Sequence, residues 1–65
     1  MNFYEKAAAI RDKYKRLVAT AQYITDPREL GALKAAARTE KLKMKMLLTD
    51  NGYDATQDKI NEYLK

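Results

Sequence analysis

The stretch that decides the fold lies at positions 24–30 and reads Ile24-Thr25-Asp26-Pro27-Arg28-Glu29-Leu30. Pro27 has no N–H group to donate and disfavours helical geometry at the residue before it, so a helix must end ahead of it. Asp26 and Pro27 are also a favoured cap and a favoured first residue for a new helix. A break of this kind between two segments of helical periodicity predicts a hairpin of two helices.

Residues that are apolar, with the exception of Glu40, are placed symmetrically on the two sides of this break. On both sides their spacing alternates between three and four residues, which keeps them on one stripe of an α-helix. The mirrored pairs, counted outward, are Ile24 with Leu30, Ala21 with Leu33, Leu17 with Ala37, Tyr14 with Glu40, Ile10 with Met44 and Ala7 with Leu47. The pattern predicts an antiparallel hairpin whose stripes face each other. We expect Glu40 to accept a hydrogen bond from the Tyr14 hydroxyl and so to help fix the register.

The predicted fold class is all-α, with a long antiparallel helical hairpin plus a short C-terminal third helix. Asn2 is the expected cap of the first helix, and Asn51 or Gly52 is expected to end the second in a left-handed conformation. Asp54 and Gln57 indicate the start of the third helix. We therefore expect helices over residues 2–25, 26–50 and 54–64 in a single helical domain that spans residues 1–65.

The third helix is too short to cover the whole hairpin. Its predicted eleven residues make about 16 Å of helix, roughly half the length of one arm. We expect it to pack on the open end of the hairpin, near Phe3, Ala7, Leu47 and Leu48. The end nearest the turn is then left with part of its apolar stripe facing water.

Charge is unevenly distributed along the 65 residues, whose net charge is +4. Residues 1–24 carry five basic and two acidic side chains, residues 25–49 carry six and three, and residues 50–65 carry two and four. The predicted hairpin is therefore basic and the third helix acidic. A hydrophobic content of 46% is enough to support a folded core, so the composition argues against disorder.

The residue inventory offers little to catalysis. The sequence has no His, Cys or Ser, which excludes imidazole and thiolate zinc sites, thiol nucleophiles and serine triads. Asp54, Asp58 and Glu62 form an acidic stripe on the third helix, and a solvated face or salt bridges to the hairpin explain it better than a metal. We expect no enzyme activity, no catalytic residue, no cofactor, no metal and no small-molecule substrate.

Two surfaces are candidates for partner binding. The apolar candidates are residues expected to stay exposed on the hairpin: Val18, Leu30, Leu33, Leu42 and Met46. The basic candidates follow one another at spacings of four, three and four on the second helix: Lys34, Arg38, Lys41 and Lys45. Such a stripe can follow phosphates, although lysine on a surface helix also serves solubility alone.

The function predicted from the sequence is a non-catalytic protein-binding module, such as a small accessory, inhibitor or assembly factor. An apolar helical face flanked by basic residues would bind a protein partner or a second copy of the chain. The alternative is a nucleic-acid-binding helical-hairpin dimer that uses the basic stripe. A cytoplasmic location is expected, because the chain has no Cys, no secretory signal pattern and no apolar stretch long enough to span a membrane.

Overall fold

Three α-helices make up the fold in a computed structural model that describes residues 2–65. They are α1 (Phe3–Ala21), α2 (Pro27–Asp50) and α3 (Gln57–Tyr63), and the described residues contain no β-strand. The two long helices pack against each other as an antiparallel hairpin, and α3 packs on its open end. The predicted all-α class and architecture are confirmed. Met1, the first residue of the predicted domain, lies outside the described residues.

The start of α1 agrees with the sequence, but its end comes four residues earlier than expected. The Asn2 side chain accepts a hydrogen bond of 2.8 Å from the backbone N–H of Glu5, as predicted for the cap. The helix ends at Ala21, and residues 22–24 donate to carbonyls three residues back. These hydrogen bonds wind the chain more tightly than an α-helix. The helix ends here because Asp26, the residue before Pro27, is extended and the chain must leave helical geometry to reverse direction.

Both predicted ends of α2 are confirmed. Asp26 caps the helix by accepting a hydrogen bond of 3.0 Å from the backbone N–H of Arg28, and Pro27 is the first helical residue. At the other end Gly52 has a φ of +74°, the left-handed conformation that glycine adopts without strain. The N–H of Tyr53 donates to the Leu48 carbonyl at 2.9 Å, which completes a Schellman ending.

The third helix is shorter than the sequence predicted. Residues 53–56 are not helical, and α3 begins at Gln57 with Thr56 rather than Asp54 as its cap. The Thr56 hydroxyl accepts from the N–H of Lys59 at 3.4 Å, while Ala55 packs against the core ahead of the helix. A helix of seven residues is about 10 Å long, so α3 covers even less of the hairpin than the sequence predicted.

The core lies at the open end, where all three helices meet. Its buried side chains come from each helix: Ala7 of α1, Met44 and Leu48 of α2, and Ile60 and Leu64 at the end of the chain. Phe3 and Leu47 pack against this cluster, so the predicted position of the third helix is confirmed. The ring of Phe3 also lies 4.7 Å from that of Tyr53 and 5.9 Å from that of Tyr63, centroid to centroid.

The register of the hairpin is as predicted, but the polar contact expected within it is absent. Glu40 is buried, with 3% of its surface exposed. Its neighbour Lys41 lies over the Tyr14 ring and Lys13, the neighbour of Tyr14, approaches its carboxylate, so Glu40 and Tyr14 lie at the same level of the hairpin. The Glu40 carboxylate lies 3.1 Å from the Lys43 ammonium group and 3.8 Å from that of Lys13. Within residues 2–65, the Tyr14 hydroxyl donates no hydrogen bond to this carboxylate. Two lysines therefore compensate the buried carboxylate, because a charge buried without a partner is costly.

Candidate partner-binding groove

A groove opens between the two arms of the hairpin near the turn, beyond the reach of α3. It has a volume of about 300 Å³. The residues that line this turn-end groove are Tyr14, Leu17, Val18, Ala21, Leu33, Lys34, Ala37, Arg38 and Lys41. Leu17 and Leu33 belong to the mirrored stripes and are only half buried there, because no third element packs on this part of the seam. The groove is thus the uncovered half of the apolar seam.

One edge of the turn-end groove is basic. Lys34, Arg38 and Lys41 line it from α2 at helical spacings of four and three, which places them on one stripe. The ion pairs of residues 2–65 involve other cations, namely Arg11, Lys13, Lys43 and Lys59. Three positive charges therefore lie beside an apolar floor without a carboxylate partner from the described chain.

Tyr14 connects the apolar floor to the basic edge. The ammonium group of Lys41 lies 5.7 Å from the centroid of the Tyr14 ring, within the range of a cation–π interaction. Such a contact contributes about 0.5–1 kcal/mol at an exposed site. Lys41 is therefore held over the groove by a ring of the opposite helix, while its charge remains free to pair with a ligand.

The structure brings together residues from both surfaces predicted on sequence grounds. Two of the five apolar candidates, Val18 and Leu33, line the same groove as three of the four basic candidates, Lys34, Arg38 and Lys41. Helical spacing alone does not show this, because Val18 belongs to the other helix. The sequence pattern assigned Tyr14, Leu17, Ala21 and Ala37 to the seam, and they line the groove because the short α3 does not extend over them.

The remaining candidate residues lie elsewhere on the hairpin. Leu30 is half buried in the first turn of α2, and Lys45 is exposed beyond the end of the groove. Leu42 is 57% exposed and lies on the outer side of α2, away from Met44 and the core. None of these three residues lines the turn-end groove, although Leu30 lies one turn from Leu33 on the same stripe.

Met46 lies in a second depression on the other side of the hairpin. This side hollow has a volume of about 390 Å³ and is lined by Lys6, Ala9, Ile10, Lys43, Met46, Leu47 and Asp50. It is larger than the turn-end groove, but its charges have mixed sign and Lys43 is already paired with Glu40. The turn-end groove, with its uniform unpaired charge, is the better-defined candidate.

The titratable side chains differ between the two depressions, and Asp50 of the side hollow is the carboxylate among the described residues that line them. Among the described residues that line the turn-end groove, the titratable side chains are Tyr14, Lys34, Arg38 and Lys41. No group of three or more Asp and Glu side chains in residues 2–65 is placed to hold a metal ion. Within the same residues, no helix has the length and hydropathy needed to cross a membrane.

The chain matches no protein-family model, and comparison with curated proteins and with solved structures finds no significant match.

Proposed function

We propose that this chain is a non-catalytic protein-binding module that holds a partner in the turn-end groove. One observation carries the proposal: Val18 and the half-buried Leu17 and Leu33 remain open to solvent beside three cations that form no ion pair within residues 2–65. Apolar contacts of this kind supply affinity, and flanking charges supply orientation and a faster encounter. A role as a small accessory, inhibitor or assembly factor is consistent with such a surface.

Nucleic-acid binding is the second candidate, supported by the row formed by Lys34, Arg38, Lys41 and Lys45. None of these four side chains pairs with a carboxylate of residues 2–65. Such a row would neutralise phosphates, and the affinity would then fall by orders of magnitude between about 50 and 200 mM salt. We place this candidate second because phosphate binding gives no role to the apolar floor of Leu17 and Leu33.

Site-specific photo-crosslinking in cells that express the protein naturally tests the proposal. A benzophenone side chain replaces Val18 in the groove, and the matched control carries it at Leu42, which is exposed on the outer side of α2. We expect the Val18 position to capture one protein that survives nuclease treatment, binds the purified chain and is missed from Leu42. Crosslinks lost with nuclease would favour the second candidate, and crosslinks between two copies of the chain would point to self-association.

A cytoplasmic location is part of the same proposal and depends on the sequence alone, chiefly on the absence of Cys.

A further inference from the structure

The turn-end groove and α3 lie along the same line of the hairpin. On α2, Lys34 and Lys41 line the groove, and Leu48 packs with α3. These three residues follow one another at intervals of seven, so they lie on one face of the helix. On α1, Tyr14 lines the groove and Ala7, seven residues earlier, packs with α3. The groove is therefore the continuation of the surface that α3 covers at the open end.

The third helix shows what kind of element fits this surface. Ile60 and Leu64, four residues apart, are buried with 5% and 4% of their surfaces exposed. Asp58 and Glu62 of the same short segment are exposed. The occupant of the covered half is thus a helical turn with an apolar i, i+4 pair on one side and carboxylates on the other.

In the uncovered half, charge favours a ligand that carries carboxylates. Lys34, Arg38 and Lys41 form one edge of the turn-end groove and have no carboxylate partner in residues 2–65. Carboxylates on a ligand can form charge-assisted hydrogen bonds with them, whereas lysines on a ligand would be repelled. The apolar floor, formed by Leu17 and Leu33 among others, requires apolar side chains from that ligand.

We propose that the turn-end groove binds an acidic amphipathic helix of a partner protein. Apolar side chains spaced three and four apart pack on Leu17 and Leu33, and carboxylates on one flank pair with Lys34, Arg38 and Lys41. This inference rests on the proposed protein-binding function and specifies the chemistry of the partner.

A second copy of the chain is a poorer occupant of the groove. A two-fold contact between two grooves would bring the three cations of each copy into one interface, with no carboxylate from the described residues of either groove to pair with them. The acidic segment of another copy does not fit either, because Ile60 and Leu64 are already buried in its own core. A foreign helix meets neither obstacle.

Three synthetic peptides of roughly 14 residues, about four helical turns, test the proposal. All carry Leu at positions spaced three and four apart in an alanine background, and their flanking positions are Glu in the first, Gln in the second and Lys in the third. Fluorescence anisotropy measures their binding to the full chain. We expect the Glu peptide to bind at least tenfold more tightly than the Gln peptide at low salt, and the difference to shrink as salt screens the charges.

Matched variants locate the binding. Val18→Glu should abolish binding of the Gln peptide, whereas Leu42→Glu, the same charge change on the outer side of α2, should leave it within about twofold. Lys41→Gln should weaken the Glu peptide severalfold and not the Gln peptide, and Lys65→Gln should affect neither. The helical circular dichroism signal checks that each variant is folded, and Lys41→Gln remains informative if Val18→Glu is not.

The outcomes separate the two proposals. Equal binding of the Glu and Gln peptides, lost in Val18→Glu only, would overturn the acidic partner but keep a helix-binding groove. Failure of every peptide to bind would overturn the helical occupant, and crosslinking from Val18 would still decide the wider function. A single-stranded RNA that displaces the Glu peptide and binds more tightly would overturn the inference in favour of nucleic acid.

Discussion

The Glu40 carboxylate on α2 lies 3.8 Å from the ammonium group of Lys13 on α1, so an ion pair joins the two arms of the hairpin. Only 4% of the Glu40 side chain is exposed, whereas the Lys13 side chain is 54% exposed. Lys43 approaches the same carboxylate to 3.1 Å from one turn away on α2. Two partly solvated lysines thus supply the positive charge that compensates one buried carboxylate.

Removing both bases should destabilise the hairpin more than removing either one. We expect Lys13→Met and Lys43→Met each to lower the free energy of unfolding by up to about 1 kcal/mol, since each lysine is half exposed. The double variant leaves the Glu40 carboxylate unpaired and should lose about 1–3 kcal/mol. Adding Glu40→Leu should restore the original stability or exceed it, because no buried charge remains.

Urea denaturation followed by circular dichroism measures these changes. Lys45→Met is the control, since Lys45 is exposed and forms no ion pair within residues 2–65; a change within about 0.5 kcal/mol is expected. If the triple variant were as unstable as the double, burial of charge would not explain the loss.

Tyr14→Phe should change the free energy of unfolding by less than about 0.5 kcal/mol. The Tyr14 hydroxyl donates no hydrogen bond to Glu40, and the phenylalanine ring keeps the contact with Lys41. If Tyr14 did donate the hydrogen bond to Glu40 that the sequence pattern predicted, its removal would cost about 0.5–1.5 kcal/mol. Chemical denaturation distinguishes the two results, and a loss near 1 kcal/mol would support the hydrogen bond.

Two leucines six residues apart on α2 should respond very differently to truncation. Leu48 has 0% of its surface exposed and Leu42 has 57%. Leu48→Ala should lose about 2–5 kcal/mol because it leaves a cavity where the three helices meet, and a domain this small has only a few kcal/mol in total. Leu42→Ala should stay within about 0.5 kcal/mol. Similar melting temperatures for the two variants would contradict the position of the core.

The two glycines should respond in opposite directions to alanine. Gly31 lies in α2, and a Cβ added there would meet no heavy atom within 4 Å apart from its chain neighbours and the backbone of its own helix. Gly31→Ala should therefore stabilise the protein by about 0.5–1 kcal/mol through helix propensity. Gly52 has a φ of +74°, so Gly52→Ala should destabilise it by about 1–2 kcal/mol. Thermal melts of the two variants measure the contrast, and a stabilising Gly52→Ala would rule out the left-handed ending of α2.

The hairpin, its register and the place of the third helix could be predicted from sequence because they follow from strong local signals. Pro27 and Asp26 fix the turn, and the apolar spacing fixes which faces meet. The end of α1 and the start of α3 were wrong by three or four residues. Several residues at such points can cap a helix, and tertiary packing decides which of them does. At the start of α3, Ala55 packs against the core and Thr56 is the cap.

The groove was harder to predict than the fold. The sequence spacing identified the basic stripe and the uncovered seam. To predict that Val18 of α1 lines the same groove as Lys34 and Arg38 of α2, one must also know how each helix is rotated about its own axis, and spacing within one helix does not give this. The partners of Glu40 were missed for a related reason. Lys13 and Lys43 are flexible side chains that can reach a buried carboxylate from outside the apolar stripe.

Amide chemical-shift mapping of the isotope-labelled chain, titrated with the Glu-flanked peptide, tests most directly whether the turn-end groove is the binding site. We predict that the largest shifts fall on residues 14–21 of α1 and 33–41 of α2, and that Ala9 and Met46 in the side hollow change little. No shifts at all would overturn the acidic helical occupant, and largest shifts around Ala9 and Met46 would contradict the assignment of partner binding to the groove.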